Sequence, residues 1–171
     1  RKEWKGQHQW MFKIMEVRLW NFEEFNRRKF SHCKNKQFKK SMKEKIISII
    51  NQKGGVGKTT TVINLAAGLS LNNKKVLVID LDPQGNATTG LGLSNIDQTS
   101  NSIYQVLVGK KKIDEAITKT NFSNLDIVTS NVDLSGLEVE TADDGRRAYI
   151  LKEKLTAYLN VSRASYDYVL I

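Results

Sequence analysis

One stretch of this chain constrains its fold more than any other, residues 46–69. Ile46–Ile50 is a short apolar run, mostly β-branched, and predicts a strand buried on both faces. A glycine-rich turn follows, Lys53-Gly54-Gly55-Val56-Gly57-Lys58-Thr59-Thr60. Val62, Leu65, Ala66 and Leu69 then recur at three- and four-residue spacing, which predicts the inner face of a helix. A strand passing through a tight turn into an amphipathic helix needs a sheet for the strand and a layer for the helix. That requirement points to an α/β fold.

The rest of the chain repeats the same grammar. Val76–Ile79 predicts a second buried strand, ending at Asp80. Residues 81–101 are rich in Gly, Asn, Ser, Thr and Asp and read as a functional loop with at most short helical turns. Ser102–Val108 and Ile113–Thr118 predict short helices, separated by Gly109 and three lysines. Leu125–Val128 predicts a third strand. A helix is expected from Arg146 to Leu159, with Ile150, Leu151, Leu155 and Tyr158 on its apolar side. Tyr168–Ile171 begins a fourth strand, and the sequence stops inside it. Strands alternating with helices imply a parallel sheet covered on both faces.

The turn at Lys53–Thr60 sits in the strand-to-helix context that a phosphate-binding loop requires. Glycines let the backbone curl so that several N–H groups converge on phosphate oxygens, and the positive end of the following helix adds to that field. Lys58 would set a mobile cation against the β- and γ-phosphates. The Thr59 hydroxyl is placed to ligate Mg²⁺, and Thr60 to reach the α-phosphate. The strict pattern asks for Gly where this chain has Gln52, so the standard motif is not met in full. An ordinary glycine-rich strand–helix turn is the plain alternative. Asp80 and Asp82 leave the end of the second strand, where ligands of open α/β sheets bind. A carboxylate there can orient a water toward a γ-phosphate or hold a metal-bound water. For Asp80, a strand-end cap is the alternative role.

Lys-Gly-Gly-Val-Gly-Lys-Thr-Thr resembles the deviant Walker A motif of the ParA/MinD class of ATPases. Asp80-Leu81-Asp82-Pro83-Gln84-Gly85-Asn86-Ala87-Thr88 resembles the ParA/Soj-type partitioning ATPases within it. The resemblance spans roughly residues 42–171, the N-terminal half of the family's domain, and takes in Leu125–Ser130, Gly145-Arg146 with Ile150–Lys152, and Tyr166–Ile171. It implies a P-loop NTPase-like parallel sheet with helices on both faces, truncated after the fourth strand, with the Walker B Asp falling just beyond Ile171. It further implies ATP and Mg²⁺ as cofactors, bound by Lys53, Gly54, Gly55, Val56, Gly57, Lys58, Thr59 and Thr60. Lys53, Lys58 and Asp82 are the catalytic set by this resemblance. Lys53 reaches the nucleotide of the opposite subunit in an ATP-bound homodimer, and Asp82 positions the water. Thr59 and Asp80 serve the metal. Partners implied are a ParB-like protein and non-specific DNA. A truncated remnant that binds nucleotide or nucleic acid without turnover is one alternative. A MinD-like division-site ATPase is another, although the Asp82–Asn86 segment favours ParA.

Charge divides the chain unevenly. The formal excess of +9 lies entirely within residues 1–45, and the remainder is balanced. The same segment holds all three Trp, all three Met, both His and the lone Cys33. Phe12, Met15, Leu19 and Phe22 recur at helical spacing there and predict one apolar stripe. Residues 1–41 read as a basic aromatic extension ahead of residues 42–171. Nucleic-acid binding, a membrane-surface helix, and a non-native extension upstream of a start at Met42 stay open for it. His32 and Cys33 lack a further ligand set, so no metal site is expected there. A lone cysteine implies a reducing compartment, and no apolar run is long enough to span a bilayer. A cytoplasmic protein with no membrane partner is the expectation, nucleoid-associated if the resemblance holds.

Overall fold

The computed structural model describes residues 16–19, 45–93, 101–140, 149–161 and 166–171. Six strands form one sheet: β1 (Glu16–Leu19), β2 (Lys45–Ile50), β3 (Val76–Ile79), β4 (Thr118–Lys119), β5 (Leu125–Val128) and β6 (Tyr168–Leu170). Their order is β1-β2-β6-β3-β5-β4. The four strands expected from the sequence are the central four, and they are mutually parallel. Both edges are antiparallel, so the sheet is mixed. The helices are α1 (Lys58–Leu71), α2 (Asn86–Gly90), α3 (Ile103–Leu107), α4 (Ile113–Ala116), α5 (Leu137–Glu140) and α6 (Ile150–Val161), with a 3₁₀ turn at Val132–Gly136.

Alternation along the strands builds two hydrophobic layers, one on each face. Ile46, Leu77, Ile79, Val128 and Val169 face α3, α4 and α6, whose Ile103, Val106, Ile113, Ala116, Leu155 and Leu159 close that layer. Ile49, Val76, Val78, Leu125, Ile127 and Leu170 face α1 through Val62 and Ala66. All four residues of β3 and of β5 are buried, as strands covered on both sides must be. This is a P-loop NTPase-like α/β arrangement with helices on both faces.

Several local expectations are corrected. Leu65 does not join the inner face of α1; it is 37% exposed, and Val62, Ala66 and Ser70 line that face instead. Their four-residue spacing is the stripe that meets the sheet, and Leu65 falls beside it. The expected helix at Ile113–Thr118 ends at Ala116, because Thr118 and Lys119 pair antiparallel with Ile127 and Asp126. The helix expected from Arg146 is described from Ile150, residues 141–148 lying outside the described set. Its apolar side gains Leu159, next to the anticipated Leu155.

The helical stripe expected around Leu19 is overturned in its middle. Glu16–Leu19 is a strand, in register with β2 from Glu16↔Ile50 to Leu19↔Ile47. The edge of β2 presents a row of backbone donors and acceptors, and strand pairing satisfies them where a helix would not. Phe12, Met15 and Phe22 lie outside the described residues, as do His32, Cys33 and the rest of residues 20–44.

Candidate functional site

The site begins with a handover from β2 to α1. Gly57 takes φ 87°, the left-handed conformation that a side chain disfavours, and caps α1. The ladder of α1 starts there, with Thr61 N–H donating to the Gly57 carbonyl at 2.9 Å. Amides of a helix's first turn have no carbonyl one turn earlier, so they face outward as donors, at the positive end of the helix dipole. Upstream, the Lys53 N–H donates to Asn51 Oδ1 at 2.8 Å, an Asx turn that starts the curl of the loop. Lys58 Nζ donates across the loop to the Lys53 carbonyl at 3.2 Å. That bond closes the loop of residues 53–58 on itself. A Cβ built on Gly54, Gly55 or Gly57 would meet no atom within 4 Å, so the space over the loop is open.

The second half of the site hangs from the end of β3. Asp80 is buried at 5% exposure, and both its oxygens are occupied. Oδ1 accepts the Asp82 N–H at 3.1 Å; Oδ2 accepts the Thr88 N–H at 2.9 Å and the Thr88 hydroxyl at 2.8 Å. Between them the chain turns tightly. Gly85 N–H donates to the Asp82 carbonyl at 2.8 Å, and Gln84 N–H to Asp82 Oδ1 at 3.0 Å. Pro83 suits the second position of such a turn. Asn86 Nδ2 donates to Asp82 Oδ2 at 3.4 Å, so the exposed Asp82 carboxylate is steadied from two sides.

Gly85, at φ 61°, caps α2 and offers no side-chain acceptor to the helix's first amides. Asp80 supplies that acceptor from the neighbouring strand, which explains why a carboxylate is buried here. Asp80 thus caps the start of α2 and ties the Asp82 turn to the end of β3.

The strand order brings these halves together. β6 lies between β2 and β3, so the loops leaving β2 and β3 flank its carboxyl end. Ile171 continues the pairing, donating to the Ile47 carbonyl at 2.9 Å and accepting from Ile49 N–H at 2.8 Å. A cleft of about 560 Å³ opens over this end of the sheet, walled by Lys58, Thr59, Asp80, Asp82, Pro83, Leu151 and Ile171 among others. That is a volume suited to a small-molecule ligand. Lys58, Thr59, Asp80 and Asp82 thus meet in one cleft. Residues 53–57 do not line the cleft; Lys53, Gly54 and Gly55 are exposed, and Val56 and Gly57 are half-buried within the turn. Thr60 is exposed, and its carbonyl accepts from Asn64 Nδ2 at 2.8 Å. Asn51 and Thr88 were not nominated as site residues from sequence, and Leu151 and Ile171 were read there only as a helix face and a strand end. Asn51 carried a signal in its Asx-turn position ahead of the glycines. Among the described residues no cluster of His, Cys, Asp and Glu could hold a metal by itself.

The profile of a family described as "AAA domain" matches residues 44–171. ParA, the chromosome partitioning protein of Caulobacter vibrioides, is 44% identical over 74% of this chain. The chain belongs to the AAA-domain family, in its ParA-type branch. It spans about half the length of the curated relatives it matches, 46% in the case of that ParA. Among solved structures, a plasmid partition protein from Borrelia burgdorferi superposes with a TM-score of 0.63 at 34% identity, covering 74% of this chain and 53% of that one. Cobyrinic acid a,c-diamide synthase from Mycobacterium smegmatis, bound to an ATP analogue and magnesium, gives 0.64 at 34% identity, covering 74% and 49%. The ParA-type P-loop and Asp80–Thr88 segment fall within the matched residues 44–171. No helix among the described residues is long and apolar enough to cross a membrane.

Proposed function

We propose that this chain is the nucleotide-binding half of a ParA-type partition ATPase, working with ATP and Mg²⁺. One observation supports the reading: Lys58 and Thr59, at the helical end of the glycine loop after β2, share one cleft with the Asp80 and Asp82 carboxylates that follow β3. The residues present suit a magnesium triphosphate. The space over the glycines is open, the Lys58 ammonium donates to the Lys53 carbonyl within the loop, and Thr59, Asp80 and Asp82 line the same cleft as Lys58.

A magnesium ion held through the Thr59 hydroxyl would supply neutralisation of the charge that develops on the phosphates. The chain's own residues do the rest. The first-turn amides of α1 and the loop amides of Gly54–Gly57 bind phosphate oxygens. Lys58 leaves the Lys53 carbonyl and spreads positive charge over the β- and γ-oxygens, and Thr59 offers its hydroxyl to the metal. Asp82, steadied by Gln84 and Asn86, orients the attacking water for in-line displacement. Asp80 serves the metal only through the lone pairs left after its three accepted bonds, and otherwise shapes the loop. The exposed Lys53 completes the site of a second copy, which makes the ATP-bound form a homodimer. A ParB-like protein and non-specific DNA are the partners this assigns, in a cytoplasmic, nucleoid-associated setting. Residues 42–171 are the ATPase half, and residues 1–41 a basic extension that contributes β1.

Turnover of ATP by the full chain, compared with Lys58→Ala, tests the reading. Loss of a charge-assisted contact made mainly in the transition state lowers kcat by about a hundredfold or more. Equal turnover in the two proteins would refute it.

A further inference from the structure

We propose that Thr88 is a positioning residue for hydrolysis, a buried hydroxyl that pins the Asp80–Asp82 segment to the end of β5; the proposal rests on the ATPase reading above. Thr88 is fully buried and does not line the cleft, so it acts on that cleft only through other residues. Its hydroxyl is used in both directions: it donates to Asp80 Oδ2 at 2.8 Å and accepts from Ser130 N–H at 3.1 Å. Asp80 then passes the constraint on, since its other oxygen accepts the Asp82 N–H. An unbroken series of hydrogen bonds thus runs from the backbone of Ser130 to the backbone of Asp82.

That series has a firm anchor. Ser130 follows Thr129, whose carbonyl accepts from Ile103 N–H at 2.8 Å and whose hydroxyl donates to the Asn101 carbonyl at 3.0 Å. The platform beneath Asp82 is therefore continuous with β5 and with the start of α3, both in the fully buried part of the molecule. Only a hydroxyl meets both demands at this position. A carboxylate neighbour needs a donor, and an amide neighbour needs an acceptor. Valine has the same shape and offers neither. Releasing Thr88 leaves Lys58 and the glycine loop as they are, because none of the hydrogen bonds in the series involves them. It lets the Asp82 turn drift relative to the cradle, and a misplaced reacting group costs rate while binding persists.

The experiment compares the full chain with Thr88→Val and Thr88→Ser. It measures kcat and KM for ATP, affinity for a fluorescent ATP analogue, and amide exchange of segments 80–88 and 58–71. For Thr88→Val we expect kcat to fall about tenfold or more, with KM and analogue affinity within about threefold of the parent. Thr88→Ser, which keeps the hydroxyl, returns kcat to within about threefold. Amides of Asp82 and Thr88 exchange faster in the valine variant alone, and those of α1 are unmoved. Unchanged kcat in Thr88→Val, equal losses in the valine and serine variants, or a parallel collapse of affinity and kcat would each overturn the proposal. A parent chain that does not hydrolyse ATP refutes the hydrolytic reading instead. The amide exchange then decides whether Thr88 holds the loop, with unaltered exchange at Asp82 counting against it. If Thr88→Val does not fold, Thr88→Cys, of similar volume and weak as a donor, takes its place.

Discussion

Replacing Asp80 by alanine strips three donors of their acceptor at once. Two of them, the N–H and O–H of Thr88, are fully buried, and the third, the Asp82 N–H, is partly so. The Asp82 amide turns to water at little cost. The Thr88 hydroxyl keeps its bond from Ser130 N–H but loses the group it donates to. Each buried donor left unsatisfied costs about 1–3 kcal/mol, toward the upper end where the lost acceptor was charged. Removing the carboxylate also removes the cost of burying it, which offsets part of that loss. The balance is a destabilisation of about 3 kcal/mol, or a melting temperature lower by roughly 6–12 °C for a chain of this size. Urea unfolding followed by circular dichroism measures it, with an unchanged slope showing that stability alone has moved. Asp80→Asn keeps one carbonyl oxygen for Thr88 and sets an NH₂ against Asp82 N–H, and should lose about half as much. A loss below about 1 kcal/mol in Asp80→Ala, or an asparagine variant as damaged as the alanine one, would refute the capping account of this carboxylate.

Further outcomes follow from other positions. Gly57→Ala forces a side chain into the left-handed region at φ 87° with no steric neighbour to blame, and should cost about 1–2 kcal/mol in the same unfolding assay. In α1, Leu65→Gln should fall within about 0.5 kcal/mol of the parent, while Ala66→Leu, at a position with no exposure, should lose about 1–3 kcal/mol by overpacking. Tyr166 donates its phenol to Asp126 Oδ2 at 2.8 Å, and burial first, then that carboxylate, hold its pKa above the ordinary tyrosine value. The fold therefore favours the neutral phenol. Its contribution is fully present below the unfolded pKa of about 10 and is lost as pH rises beyond it. Thermal melts between pH 9 and about pH 11.5 should show a steeper decline in the parent than in Tyr166→Phe.

The parallel core was legible because its strands are short, apolar and β-branched, and because a glycine turn with a following lysine admits few structures. Lys58, Thr59, Asp80 and Asp82 could be nominated from local context, and they do share a cleft. What escaped reading depends on distant partners. Leu65 satisfies the helical period as well as Val62 does, and only the direction of the sheet tells them apart. Thr118 and Lys119 extend a helical pattern until β5 offers its edge and Asp126 its carboxylate, 2.7 Å from Lys119 Nζ. Leu19 fits a helical stripe until the free side of β2 offers a backbone to pair with. Thr88 lies eight residues from Asp80 and forty-two from Ser130, so no periodicity could join them.

The place of β6 in the sheet also bears on how the site is assembled during folding. β2 and β3 are near neighbours in sequence, yet they do not pair with each other; Lys45 and Val76 both pair with Tyr168. The glycine loop and the Asp82 turn therefore hold their spacing only after residues 168–171 have slid between them. Such long-range closure is slow compared with helix formation. Nucleotide competence should therefore require that long-range pairing, and the arrival of the central strand is what a binding signal during refolding would time.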